Sequence, residues 1–448
     1  MSADLRRVAV IGSGISGLSV AHALSAQAHV TLFEAGDYFG GHTHTVDVTL
    51  EGVTHGVDTG FLVFNERTYP NLIRLFGELQ VPTALSDMSF SVRVPDIDLE
   101  WSGSNLDSLF AQRRNLVRPA FWRMLADLMR FNRIATAMAQ RGVGSASPPA
   151  DEPLQSIGDF LDHHRFSSVF RDWYFLPMIG CIWSCPTDQM LRFPIDTMIR
   201  FCHNHGLIQI SNRPQWHTVA GGARHYVDKI VAGVADKRLN CPVQQIRRDA
   251  DGVHVTSAGQ TERFDKVVIA THSDQALALL ADASAQERVT LGAIGYQANR
   301  AVLHTDASVL PRHKRAWAAW NYQRAPHANA AQGSDTGVQA HLVPARQPDS
   351  QRVCLHYLLN LLQPLPFAQP VVVSLNPLQD IDPQHVLGSF DYAHPVFDLA
   401  AIRAQTDVPA LQGQQHSYFC GAWTGYGFHE DGLKSGLDVA ARLRPLLG

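Results

Sequence analysis

The chain has 448 residues, 45% hydrophobic and 17% charged, a soluble composition with room for two or three domains. Its formal net charge of −4 argues against nucleic acid as the main partner. No apolar run is long enough to span a bilayer and residues 1–7 lack a signal-peptide core, so the expected location is cytoplasmic.

In chain order, Val8-Ala9-Val10-Ile11 predicts a buried parallel strand that runs into Gly12-Ser13-Gly14-Ile15-Ser16-Gly17 and then a helix of small residues at 18–24. Gly12 suits a tight turn, Gly14 lets a pyrophosphate approach the backbone, and Gly17 lets helix and strand pack closely. A second strand at 30–33 ends in Glu34, followed by Ala35, where an acid binds ribose hydroxyls. Strand, turn, helix, strand and acid at this spacing predict a dinucleotide site at a helix N-terminus.

Gly40-Gly41-His42-Thr43 follows, and then Val57-Asp58-Thr59-Gly60-Phe61. A helix is predicted at 71–80 and a hairpin from 89–94 and 97–101 around Pro95-Asp96. The stretch 105–140 has a helical pattern. Arg113, Arg114, Arg118, Arg123, Arg130 and Arg133 stand there among bulky apolar residues. This is either a solvated face over a core or a face lying on an anionic membrane surface.

The Gly-, Ser- and Pro-rich stretch 142–153 predicts an exposed loop, and 156–170 a helix capped by Ser156 with Asp159. Aromatics crowd 173–185 around Pro177, so that stretch is buried or lines a cavity, and helices continue to His205. Further on, Gly221-Gly222 turns into a helix, Cys241-Pro242-Val243 enters a hairpin closed by Asp251-Gly252, and 264–271 reads as a buried strand ending at Ala270-Thr271. Strands are expected at 301–304, 317–322, 353–362 and 371–375. Pocket candidates among them and beyond are His304, Trp320, Asn321, His356, Tyr357, Asn360 and His394. The chain closes with a strand into Gly421-Ala422-Trp423, and a final helix opens around Asp431-Gly432-Leu433. Six cysteines show no paired metal spacing, and no metal is expected.

Taken together, these motifs resemble the flavin amine oxidase and phytoene desaturase superfamily of FAD-dependent oxidoreductases, and more narrowly a bacterial branch of predicted NAD/FAD-binding proteins. The resemblance implies an α/β fold: a Rossmann-like FAD-binding domain with an interleaved α+β substrate domain, made of a helical insert and a mostly antiparallel sheet. It places 1–95, 216–290 and 412–448 in the FAD domain, and 96–215 and 291–411 in the substrate domain. Non-covalent FAD would lie on Gly12, Gly14, Ile15, Ser16, Gly17, Glu34 and Ala35, on Gly40, Gly41, His42, Thr43, Gly60 and Phe61, and on Val243, Ala270 and Thr271. Gly421, Ala422, Asp431, Gly432 and Leu433 complete the set. The final helix N-terminus would favour reduced flavin by roughly 0.3–2 kcal/mol.

The sequence departs from that pattern at three places. His42 replaces a usual arginine and is either a cofactor contact or a turn histidine. Ala422 replaces an acid, and Asp431-Gly432 stands where Gly-Ala is usual. Trp423, Tyr426, Tyr357 and Asn360 are the candidate catalytic side chains. Hydride transfer from a hydrophobic, fatty-acyl or lipid substrate is the first reading, amine oxidation the second and double-bond isomerisation the third. The electron acceptor is left open.

Overall fold

The computed structural model describes residues 5–141, 155–184, 186–209, 213–325 and 353–447. The loop expected at 142–153 and Cys185 lie outside the described residues.

β1 (Arg7–Ile11) forms the middle of a five-stranded parallel sheet. Val8, Ala9 and Val10 are wholly buried, as a strand covered on both faces requires. On one side it pairs with β2 (His29–Phe33), followed by Asp236–Arg238; on the other lie Lys266–Ile269 and Ser417–Phe419. Helix α1 (Ile15–Leu24) crosses the final helix His429–Leu443 at very close range. Small residues permit it: a Cβ on Gly436 would overlap Ser19 Oγ and the Ser16 carbonyl.

The predicted Asp251-Gly252 hairpin is present, joining Val243–Arg248 to Val253–Ser257 in an antiparallel meander with Gln260–Phe264. A seven-stranded sheet forms the second layer, in the order Val386–Val396, Gly295–His304, Val372–Leu375, Val353–Leu358, Trp320–Arg324, Phe90–Val94, Leu99–Ser102. All its pairings are antiparallel except Trp320–Arg324 with Phe90–Val94. The sheet therefore begins at Phe90, and the expected hairpin supplies its last two strands. The strand expected at 353–362 stops at Leu358 and gives way to the short helix Leu359–Leu362.

Between the two parts of this sheet the chain makes the helical insert. Pro119–Arg141 buries Phe121, Met124, Phe131 and Ala135 at helical spacing. The helix expected at 156–170 splits into Ile157–His163 and Ser168–Phe170, because Arg165 takes a left-handed φ of +50°. Ser156 caps the first piece, accepting from Asp159 N–H at 3.1 Å. A π-turn at Arg171–Phe175 precedes Leu176–Trp183. Pro177 has no N–H to return to Trp173, which removes one α-helical hydrogen bond at that point. Among the described residues no helix is long and apolar enough to cross a membrane.

Candidate functional site

The glycine-rich turn after β1 is shaped by backbone approach. Gly12 has φ +97° and a Cβ there would come within 2.9 Å of the Ala270 carbonyl, while a Cβ on Gly17 would overlap the Gly12 carbonyl. Gly14 differs: apart from its immediate chain neighbours, no protein atom lies within 4 Å of where its Cβ would be. It stands at the N-terminus of α1 without a side-chain cap, facing open space. Glu34 closes the turn, accepting from Ser13 N–H at 3.0 Å, Ser13 O–H at 2.5 Å and Gly36 N–H at 2.8 Å. Gly40 N–H donates to Ser13 Oγ at 3.1 Å, which brings the second glycine pair alongside the first turn.

A cavity of about 710 Å³ starts here. Its wall includes Gly12, Gly14, Ile15, Ser16, Glu34, Ala35, Val243, Ala270 and Thr271, which lie far apart in sequence. Further along come Gly40, Gly41, His42, Gly60, Phe61, Gly421, Ala422 and Trp423. His42 carries the clearest mark of a ligand site. Its Nε2 is buried with no hydrogen-bond partner among the described residues, and burial lowers its pKa well below the ordinary histidine value. His429, at the start of the final helix, stacks on Phe61 at 3.9 Å and 14°. It also meets Tyr226 Oη at 2.7 Å, and Tyr226 meets Thr43 Oγ1 at 2.5 Å.

Not every expected contact reaches the wall. Gly17, Thr43, Asp431, Gly432 and Leu433 are not among the residues that line it. Asp431 turns back to accept from Phe428 N–H at 3.0 Å, and burial pushes its carboxyl up to about 6. Gly432 packs on Ile15 and Ser16, and the Leu433 carbonyl accepts from Ser19 O–H at 3.4 Å. Glu430 caps another helix, accepting from Asn71 N–H and Leu72 N–H at 2.9 and 3.0 Å.

Beside the glycine-lined part, the cavity is also walled by Cys181, Trp183, Phe201, His205, Trp320 and Tyr357. Trp320 and Tyr357 face one another across two strands, their rings 4.9 Å apart and perpendicular. Tyr426 also lines the cavity, and its carbonyl accepts from Trp183 N–H at 3.3 Å. Trp423 is 2% exposed and donates its indole N–H to the Thr271 carbonyl at 3.1 Å, so it braces the cavity wall.

Asn360 is corrected by the structure. Its amide donates to the Phe367 and Gln369 carbonyls and accepts from Val371 N–H, so it closes a loop away from the cavity. Asn321, His356 and His304 point from the opposite face of the sheet. His304 and His356 both meet Ser374 Oγ at 2.6 Å, and Asn321 donates to the Ala318 and His356 carbonyls. His394 does line the cavity, with its pKa lowered to about 4 by burial.

His205 escaped the sequence reading. Its ring stacks on Phe201 at 3.9 Å and on Trp216 at 6.2 Å, and burial lowers its pKa to about 4. The one available signal was its i+4 spacing from Phe201 at the end of Ile195–Asn204.

The profile of flavin-containing amine oxidoreductases matches residues 15–444. The chain belongs to the flavin-containing amine oxidoreductase family. No curated protein matches it significantly. Among solved structures, cyclohexylamine oxidase from Brevibacterium oxydans IH-35A is similar at 18% identity and TM-score 0.66, covering 99% of both chains. Putrescine oxidase bound to putrescine is similar at 15% and 0.67, covering 98% of both. A CLA-producing fatty acid isomerase from P. acnes is similar at 14% and 0.64, covering 99% of both. At these identities the likeness concerns the fold.

As a flavin-containing amine oxidoreductase, the chain is an FAD-dependent oxidoreductase. The residues fit the cofactor. The open cradle at Gly14, Glu34 at the end of β2 and the unpartnered His42 Nε2 all stand on one continuous cavity.

Proposed function

We propose that this flavoenzyme oxidises or desaturates a hydrophobic, acyl-type substrate. One observation carries the reading: the sole Asp, Glu, Lys or Arg on the described cavity wall is Glu34, at the ribose end. An ammonium group entering the aromatic end would lose its hydration with no carboxylate to meet it, whereas an acyl chain loses only apolar contact with water. An amine would have to enter neutral.

FAD, when bound, supplies the two-electron acceptor. The glycine turns and Glu34 would hold its nucleotide part, and His42, Phe61 and His429 lie further along the same wall. The chain itself supplies shape, dryness and a proton acceptor. Trp320 and Tyr357 set two perpendicular walls, and Trp320 Nε1 is a buried donor without a partner among the described residues, suited to a substrate oxygen. Losing a hydride and forming a double bond also requires a neighbouring proton to leave. We assign that role to His205, the histidine beside Phe201 and Trp216: its Nδ1 lies 3.0 Å from the Phe201 carbonyl, the tautomer that leaves Nε2 as the basic nitrogen. The fatty acid isomerase among the similar structures has a substrate of this kind.

The test is an anaerobic visible spectrum of the FAD-loaded protein, taken with fatty acids and phospholipids or with a panel of amines. Bleaching by the acyl lipids alone is expected. Bleaching by amines alone overturns the reading in favour of amine oxidation. A shifted double bond in recovered lipid, without consumption of an electron acceptor, makes it an isomerase.

A further inference from the structure

Scattered exposed apolar residues are ordinary on any protein surface. Here five large ones come from one short stretch: Leu106, Leu116, Val117, Trp122 and Met129 are 75%, 47%, 82%, 50% and 53% exposed. They form one surface. Trp122 lies against Phe110, ring centres 5.7 Å apart, and donates its indole N–H to the Leu116 carbonyl at 2.8 Å. Phe110 N–H in turn donates to the Leu106 carbonyl at 3.1 Å. Met129 follows Trp122 by seven residues in Pro119–Arg141, and the exposed Arg133 follows four later, on the same helix face.

The charges around this surface are one-sided. Arg113, Arg114, Arg123 and Arg133 are exposed in the same stretch, Arg118 and Arg130 lie part-buried over Trp173 and Phe166, and Arg315 reaches Asp107 at 3.6 Å. The acids facing them are Asp98, Asp107 and Asp127. Asp107 pairs with Arg113, Asp98 with Arg114 at 2.6 Å, and Asp127 with Arg130 at 3.2 Å and Arg123 at 3.8 Å. The bases outnumber the acids about two to one on a chain whose net charge is −4.

We propose that this face seats the protein on an anionic lipid bilayer, with Leu106, Val117 and Trp122 entering the headgroup layer while the arginines meet lipid phosphates. Arginines alone would suit any polyanion. Outward aliphatic side chains and an indole at their centre suit a surface that is apolar just below its charges. The docking does not depend on the substrate reading, because binding is measured without turnover.

The experiment is co-sedimentation of the FAD-loaded protein with phosphatidylcholine vesicles, with and without phosphatidylglycerol. Binding to the anionic vesicles is expected, weakening as salt rises. Val117→Glu/Trp122→Glu should weaken it by about tenfold or more. Arg123→Gln/Arg133→Gln should weaken it by about fivefold per arginine; both positions are exposed, and Asp127 keeps its closer partner Arg130 at 3.2 Å. Leu85→Glu, changing an equally exposed (71%) apolar residue in the strand Thr83–Ser86, outside this stretch, should bind like the parent. Failure to bind anionic vesicles, equal binding to neutral ones, or unchanged binding by both double variants would overturn the proposal.

Discussion

His205 lies flat on Phe201, ring centres 3.9 Å apart, while its Nδ1 sits 3.0 Å from the carbonyl of that same residue. One neighbour thus fixes both the plane and the tautomer of an imidazole that burial keeps neutral, its pKa lowered to about 4. If His205 accepts the substrate proton, the acid limb of kcat/KM should fall near pH 4, well below the ordinary histidine range near 6.5. His205→Gln should lower kcat by about a hundredfold or more, with little change in KM. A variant within twofold of the parent would remove His205 from the reaction.

Gly14 and Gly17 separate cofactor binding from folding. Gly14→Ala puts a methyl group where no protein atom beyond its immediate chain neighbours lies within 4 Å, on a backbone with φ −61° that alanine adopts freely. The apoprotein should melt within about 0.5 kcal/mol of the parent in stability. FAD affinity should nevertheless fall by about tenfold or more, because the methyl fills the space a pyrophosphate needs. Gly17→Ala drives its methyl into the Gly12 carbonyl and should cost about 1–3 kcal/mol of stability. Thermal melts of apoprotein and flavin titrations check both. Equal loss of stability in the two variants would contradict the distinction.

The nucleotide half was readable because its chemistry is local. Val8 to Glu34 carries strand, turn, helix and acid in one contiguous run, each with its own constraint. The substrate half was not, because its central strands are buried on both faces. Alternation puts Trp320 and Asn321 on opposite sides of one strand, and Tyr357 and His356 on opposite sides of the next. Only the assembled sheet tells which side meets the cavity. Asn360 followed the same logic and fell where the strand had already ended, at Leu358. The 11-residue edge strand Val386–Val396 was hidden by Gly388 and Pro395, which a sheet tolerates at its edge.

Arg248 and Glu287 form a buried ion pair, with side chains 1% and 3% exposed, that ties the meander to the helix Ala285–Gly292. Asp282 adds a contact at 2.9 Å. Arg248→Met leaves Glu287 buried without its counter-charge and should cost about 3–5 kcal/mol. Arg248→Met/Glu287→Gln should recover more than half of that loss, since glutamine keeps the capping box with Ser284 without the stranded charge. Urea unfolding of all three proteins measures it. A double variant no better than Arg248→Met would mean that the guanidinium acts mainly through Asp282.

Buried histidines should make the fold acid-sensitive. Burial lowers His205, His304 and His394 to about 4, and His356 and His429 to about 3. In the unfolded chain each titrates near 6.5. Between those values the unfolded state binds more protons, so these groups stabilise the fold above pH 6.5 and lose that contribution as pH falls towards 4 and 3. Two carboxyls act in the opposite sense. Burial raises Asp58 to about 7 and Asp431 to about 6, so their contribution is complete below the unfolded value near 4 and is lost as pH rises through 6 and 7. Asp58 also accepts from Ala223 N–H at 2.9 Å and Gln363 N–H at 2.7 Å, which draws its carboxyl back down. Five histidines against two carboxyls leave the acid loss dominant. The melting temperature of the FAD-loaded protein should therefore climb from pH 4.5 to pH 7 and change little above that. A maximum near pH 5 would mean that the two carboxyls outweigh the histidines.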